Sequence, residues 1–400
     1  MTTSVVSQDP TLEGVLARID EIRPVLERNT DKTESDRRVA EENLGGLIAA
    51  GAFLVTIPKR FGGYEMTVRE TLELSAAVAE SCGSTAWVVA LTNICNWMAS
   101  LLPEDGQQAI FGGERPPRVA GVLNQTEDVR KVEGGWIVSG KWPWASGSLH
   151  ADWALLGIVA KDEAGKALEP RLAFAPMSEL SIEDTWFVAG MKGSGSNTIV
   201  AQEVFIPEYL SYSIPGVLQQ EYATPYKDEA LYRASFIPFL TLILAGPQLG
   251  MARAAREFVV AKAPRRGITY TQFDRQVDSV AFQLQIADAS MLIESAHLHV
   301  YRAAEDIDSY AARGEKMPYE VRARVRNDAA FAIVRVREAI DKLLSAHGAS
   351  GFANISPLQR IWRDSATAGR HAVADPLVNQ EIYGKAILGI PYEENITPLI

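Results

Sequence analysis

Residues 141–153 read KWPWASGSLHADW: three tryptophans, a Ser-Gly pair and one of the chain's five histidines. Ring surface beside a hydroxyl suits a flat heteroaromatic ligand, with the hydroxyl meeting a ring nitrogen. Trp142 and Trp144 alternate, so a strand would put them on one face, with Ser146 on the same face. The same residues equally fit a strand's core face followed by a turn, with His150 beyond it. A second stretch, GMKGSGSN at 190–197, has three glycines but runs into the strand-like TIVAQEVFIP rather than a helix. It fails the context test for a dinucleotide loop and reads locally as a polar turn. His347 in SAHGASGF and His371 in RDSATAGRHAVADP are the other histidines of interest. LQRIWRD followed by GRHAVADP puts Arg360, Arg363, Asp364 and His371 on one helix, with Asp364 and His371 seven apart on a common face. That is a charged helix surface or the wall of a cleft. His297 and His299, two apart on a helix, cannot face the same way and read as structural.

No P-loop, GxSxG or HExxH occurs. Cys82 and Cys95 are the only cysteines and belong to no CxxC or Cys/His set, so neither a disulfide scaffold nor a metal site is expected. A net charge of −11 argues against nucleic acid or an anionic membrane as partner, because both would repel the chain. The N-terminus, MTTSVVSQDPTLEGV, lacks the basic and apolar regions of a secretory signal. The most apolar window, residues 234–245, is broken by Pro238 and far short of the ~20 residues a membrane span needs. A soluble, cytoplasmic protein is expected.

These side chains need elements to hold them. From residue 11 to about 102 the period is helical: Leu12, Val15, Leu16, Ile19, Ile22 and Leu26 mark one buried face. Val39, Leu44, Leu47 and Ile48 continue it, and Gly51 stands where a helix C-cap belongs. Residues 67–80 predict another helix, stopped near Gly83, with Ser84 capping the next. Between about 118 and 207 the period changes. VRKVEGGWIVSG has two extended runs joined at Gly134-Gly135, a hairpin signal, and WALLGIVA, RLAFAPM and NTIVAQEVFIP are further strands. Short strands at this spacing predict a barrel or sandwich. Helical spacing returns over 281–312 and 319–346. The chain is therefore α+β and mostly helical, divided at 1–115, 116–210 and 211–400.

GKWPWASG, GMKGSGSNTIVAQEVFIP and LQRIWRD, within this helical–β–helical order, resemble the acyl-CoA dehydrogenase superfamily. CGSTAWVVALTNICNW, SGSLHADWALLG, DTWFVAGMKGSGSNT and LQRIWRDSATAGRHAVADP most resemble one of its branches, the oxygenase component of two-component flavin monooxygenases. Members of that branch hydroxylate hydroxyphenylacetate, steroid-derived phenols and aromatic polyketides. The resemblance covers nearly the whole chain. It implies an N-terminal helical domain, a central β-barrel and a C-terminal four-helix bundle. It also implies reduced FAD or FMN as cofactor, O2 as cosubstrate, an aromatic small-molecule substrate and a separate NAD(P)H flavin reductase as partner. A flavin C4a-hydroperoxide would pass its distal oxygen to the substrate.

By the same resemblance, Trp144 and Ser146 border the flavin, with the Ser146 hydroxyl near flavin N5. Trp186 and Phe187 pack along the flavin or pocket, and Ser194, Ser196 and Asn197 support the cofactor or the rim. Arg265 or Arg266 meets the flavin phosphate, a contact often made across a subunit boundary, which implies a homotetramer. Asn96 and Trp97 contact substrate, and His371 accepts the substrate's proton. One position separates the branches: where the common dehydrogenases carry a catalytic Glu, this chain has Ala372, which cannot titrate. A dehydrogenase or nitroalkane-oxidising flavoenzyme stays open, since some place that Glu elsewhere. So does a non-catalytic helical binding protein whose tryptophans and histidines are core.

Overall fold

The structure, a computed structural model, describes residues 11–400. The reading of MTTSVVSQDP as free of a targeting signal lies outside the described residues. Helix α1 (Leu12–Arg28) buries Val15, Ile19 and Leu26, and Thr11 caps it by accepting the Gly14 N–H. After α2 (Thr30–Ser35), α3 (Glu41–Ala50) ends as predicted at Gly51, at φ +79°. A reciprocal box between Thr67 and Glu70 starts α4 (Val68–Ala79). The next helix, α5 (Gly83–Ala99), begins earlier than predicted: Cys82 is its cap, and Ser84 lies inside the first turn. A Cβ on Gly83 would stand 2.5 Å from Met251 Sδ, so this turn packs tightly on the C-terminal helices. The short α6 (Glu104–Phe111) closes the first segment.

Eight strands follow: β1 (Val119–Thr126), β2 (Val129–Val132), β3 (Gly135–Ala145), β4 (Trp153–Lys161), β5 (Ala167–Pro176), β6 (Ser181–Glu183), β7 (Asn197–Pro207) and β8 (Ser211–Ser213). The predicted hairpin is β2–β3, turning through Glu133-Gly134 with Gly134 at φ +76°. The strands form two four-stranded sheets, ordered β1-β4-β5-β8 and β2-β3-β7-β6. Among the described residues no strand pairing joins one sheet to the other, so the strands form two sheets rather than the closed barrel expected.

The last segment holds α7 (Ile214–Leu218), α8 (Phe236–Leu242), α9 (Ala245–Lys262), α10 (Val280–Arg313), α11 (Tyr319–His347), α12 (Pro357–Ala368) and α13 (Pro376–Ile387). The longest contacts are between α10 and α11, and α4 lies on α9. One continuous core thus runs from Val15 to Ala374. Pro238 falls in the first turn of α8, where an N–H lacks a helical partner anyway, so it does not break the apolar stretch. Phe236–Arg265 is long and apolar enough to cross a membrane, contrary to the sequence reading, but 89% of its most apolar window is buried inside the fold. Gly369 ends α12, and His371 caps a single short turn at 372–374. His371 is therefore not on the helix of Arg360, Arg363 and Asp364, as the spacing had suggested.

Candidate active site

A cavity of 410 Å³ opens where α5, β1, the end of β3, α8 and the segment after α12 meet. Pockets of roughly 300–1,000 Å³ hold small ligands and cofactors. One stripe of α5 supplies Trp87, Leu91, Ile94, Cys95 and Met98. Trp144, Trp186 and the hydroxyls of Ser146, Ser194 and Ser196 also line the wall. The β3 residues do not sort by alternation. Between the pairs Trp142↔Ile199 and Ala145↔Asn197, two residues of β3 oppose one of β7, a bulge. Trp144 takes φ +67° there, a conformation that costs a non-glycine residue about 1–2 kcal/mol. Trp142 consequently turns into the core, 1% exposed, with its indole N–H donating to Gly157 O at 3.0 Å. Trp144 stays 65% exposed on the cavity wall. The predicted common face does not exist.

Ser146 Oγ accepts the Trp87 indole N–H at 3.1 Å and lies 2.8 Å from Ser196 Oγ, which is 2.7 Å from Ser194 Oγ. The loop that brings these serines to the wall is held on two sides. Asn197 Oδ1 accepts the backbone N–H groups of Thr185 and Trp186, each at 3.0 Å, and the Trp186 indole donates to Met191 O at 2.9 Å. From α12, Asp364 Oδ1 accepts the Met191 N–H at 2.5 Å, while Arg363 donates to Ala189 O and to Glu34. A Cβ on Gly190 would stand 2.1 Å from Arg363 O, so only glycine permits this approach. Burial pushes the Asp364 carboxyl up to about 6, against the opposing pull of the Met191 amide.

His371 lines the cavity, its ring centroid 6.0 Å from that of Trp87. Its Nδ1 accepts the Val373 N–H at 3.4 Å, too long to hold one tautomer firmly. The ring is open to the cavity yet lies within the protein envelope, and desolvation holds its pKa below the ordinary imidazole range. It is neutral at neutral pH. Among the described residues, the titratable groups on the wall are Cys95, Arg370 and His371, and no carboxylate lines it. Burial pushes the Cys95 thiol up to about 12, which removes it as a nucleophile.

Four expected site residues lie elsewhere. Asn96 donates to Phe53 O at 3.2 Å and Pro117 O at 3.4 Å, and Trp97 donates to Leu231 O at 2.9 Å among Phe236 and Phe239. Both are core on a different side of α5 from the lining stripe, and Trp87 stands at the wall instead. Arg266 is away from the cavity, 3.1 Å from His347 Nε2 and 2.6 Å from Ser350 Oγ. Phe187 is exposed beneath the Arg37 guanidinium, outside the cavity, and His150 is buried outside it, with its pKa pushed down to about 4 by burial. His297 and His299 are structural, as expected: His297 bonds Ile293 O and Arg253, and His299 bonds Asp328.

Residues 242–376 match the family described as acyl-CoA dehydrogenase, C-terminal domain. The chain is 30% identical to the flavin-dependent monooxygenase oxygenase subunit HsaA of Rhodococcus jostii (strain RHA1), over 95% of this chain and 100% of that protein. It is 28% identical to the oxygenase component of p-hydroxyphenylacetate 3-hydroxylase from Acinetobacter baumannii, over 96% and 92% of the two chains. The structure of XiaF from Streptomyces sp. in complex with FADH2 and glycerol superposes with a TM-score of 0.91 at 32% identity, covering 95% of this chain and 96% of that one. On this identity over nearly its whole length, the chain belongs to the flavin-dependent monooxygenases, among their oxygenase subunits.

Proposed function

We propose that the chain hydroxylates an aromatic substrate with O2 and a reduced flavin, FAD or FMN, delivered by a separate NAD(P)H flavin reductase. The observation that carries this reading is the composition of the cavity wall: three tryptophans, three linked hydroxyls and a neutral histidine, with no carboxylate among the described lining residues. An acyl-CoA dehydrogenase needs a carboxylate base at that wall, and Ala372 stands there instead. The residues present fit a flavin. Tryptophan faces suit a flat heteroaromatic ring, and the serine chain can both accept and donate. A bound reduced flavin supplies O2 activation and two electrons, so that one oxygen atom enters an aromatic C–H bond and the other leaves as water.

The chain's own residues do the rest. Trp87 occupies one lone pair of Ser146 and so orients that hydroxyl towards its other neighbours. The apolar stripe of α5, with Leu240 and Leu244, keeps the cavity dry. His371, neutral in the resting protein, takes the proton of a phenolic hydroxyl and makes the ring carbons more nucleophilic. Relatives named for p-hydroxyphenylacetate, resorcinol and indole-3-acetate support an electron-rich aromatic substrate.

Segments 1–115, 116–210 and 211–400 serve as three domains, the last a four-helix bundle, in a homotetramer of the cytoplasm. Support for the assembly comes from exposed apolar residues along α10 and from Arg266, which lies outside the cavity of its own subunit. The deciding experiment is anaerobic titration with reduced FMN and FAD, then O2, a phenol, NADH and a flavin reductase. One turnover of catechol-type product is expected from reduced flavin, O2 and phenol, and sustained turnover only in the complete mixture. Acyl-CoA oxidation by the chain alone with an artificial electron acceptor would sink the reading.

A further inference from the structure

Three arginines surround the segment that carries His371, and none forms an ion pair among the described residues. Arg370 lines the cavity next to His371, and its guanidinium makes one hydrogen bond, to Ala366 O at 2.5 Å. Arg337, on α11, packs its Cδ 2.6 Å from where a Cβ on Gly369 would stand, and the charged groups that act on its guanidinium are Arg370 and Glu338. Arg326, three turns earlier on α11, is buried. It donates to Asn379 Oδ1 at 2.8 Å and Val373 O at 3.5 Å, and leaves Nη1 without a partner. This is unexpected in a chain with 50 acidic side chains against 39 Lys and Arg, where carboxylates to pair with are in excess. The positive charge gathers beside a wall that holds no carboxylate, and Glu338, which acts on Arg337, offsets only part of it.

We infer that Arg370, reinforced by Arg337, binds the carboxylate of an aromatic acid whose ring enters the cavity. The inference deepens the hydroxylase reading and rests on it. A guanidinium fork matches a carboxylate in two parallel N–H···O bonds. The arginine side chain is open at the mouth, so the pair keeps part of its hydration and avoids the full desolvation penalty of a buried ion pair. The stripe of Leu91, Ile94 and Met98 would reject the acid group, so the same substrate is driven ring-first into the apolar part. The other source of such an anion is the phosphate of the flavin, and the experiment separates the two.

The test is equilibrium binding of 3- and 4-hydroxyphenylacetate, each against the matching cresol, to the flavin-free protein, followed by quenching of the cavity tryptophans. For at least one pair the acid should bind roughly ten- to hundredfold tighter, the scale of a hydrogen bond to a charged group. Arg370→Gln should bring that ratio close to one. Equal affinities for acid and cresol in the unmodified protein, or a ratio that survives Arg370→Gln, would overturn the inference. In a second arm, a fall in the FMN-to-riboflavin affinity ratio in Arg370→Gln would assign the charge to the flavin phosphate and equally overturn it. Cresol turnover with the reductase reads the hydroxylase assignment by itself: its absence from the unmodified protein counts against that assignment, whatever the binding ratios.

Discussion

Three hydroxyls in a row carry three protons and make two mutual contacts, Ser146 to Ser196 and Ser196 to Ser194. The Trp87 N–H fills one lone pair of Ser146, and one of the three hydroxyl protons is left over, on a chain whose three members all line the cavity. A bound ring can therefore meet a donor or an acceptor at Ser146 without breaking the network. His371 works at the same scale. Desolvation lowers its pKa, so the form able to accept a proton persists below the ordinary value of ~6.5. Hydroxylation should rise with pH through an apparent pKa below ~6.5 and stay level above neutrality. In His371→Asn, flavin binding should hold while product formation falls ~10²–10⁴-fold, the scale of general-base catalysis, and reduced flavin is spent as hydrogen peroxide. Product formed per flavin oxidised is the measurement, and a value equal to that of the unmodified protein would leave His371 a cap of its short turn. That Trp144, Ser146, Trp186, Ser194, Ser196 and His371 share one cavity wall was legible because distinctive strings resembling a known family contain them. Asn96 and Trp97 were misplaced because α5 is apolar on nearly every side, so its period gives no direction for the wall.

At the scale of elements, the cavity depends on two departures from regular structure. The β3 bulge sends Trp142 inward and Trp144 outward, which alternation in the sequence cannot announce because it assumes an unbroken pleat. The end of α12 at Gly369 frees His371 from the helix and turns it to the wall, whereas Arg363 and Asp364 remain behind to grip the loop before β7. The Arg-Asp pair was legible in the sequence; its target was not, since that contact joins residues far apart in the chain. Asp364 offers a test with a definite sign. Burial raises its pKa from 3.8 to about 6, so the folded protein holds this proton more tightly than the unfolded chain. Its favourable contribution is complete below pH ~3.8 and is lost as pH rises through ~6. At neutral pH the ionised carboxylate opposes folding by something on the order of 1–3 kcal/mol. Asp364→Asn keeps an oxygen for the Met191 N–H and drops the charge. Its Tm should exceed that of the unmodified protein at pH 7.5, and the advantage should shrink below pH ~6 and vanish only below pH ~3.8. An equal or lower Tm at pH 7.5 would mean that Arg360 and Arg363 offset the burial.

Across the whole molecule, the single core leaves one long helix unfinished. On its inner face α10 buries Ala289, Ile293, Ala296 and Val300, while Val280, Leu284, Met291 and Leu298 stand exposed at spacings of four, seven and seven. That is a stripe along one helical face, the pattern of a helix that packs against another helix. Exposed apolar surface in a row marks a partner more often than a free surface. A second copy is the partner that the assembly proposed above would seat on this stripe, with Arg266, held here by His347 and Ser350 outside its own cavity, as the residue to test across the boundary. The helical period of α10 was legible in the sequence, but its two apolar faces were not separable there, since a buried stripe and a subunit-facing stripe are written in the same residue types. Leu284→Glu combined with Met291→Glu places two carboxylates in the stripe without touching the buried face. Light scattering should then report a smaller particle than for the unmodified protein, with the helical circular dichroism retained. Reduced-FAD affinity should fall together with the mass if Arg266 acts across the boundary. A particle of unchanged mass would show that α10 is not the seam, and a smaller particle that binds FAD as before would remove Arg266 from the cofactor site.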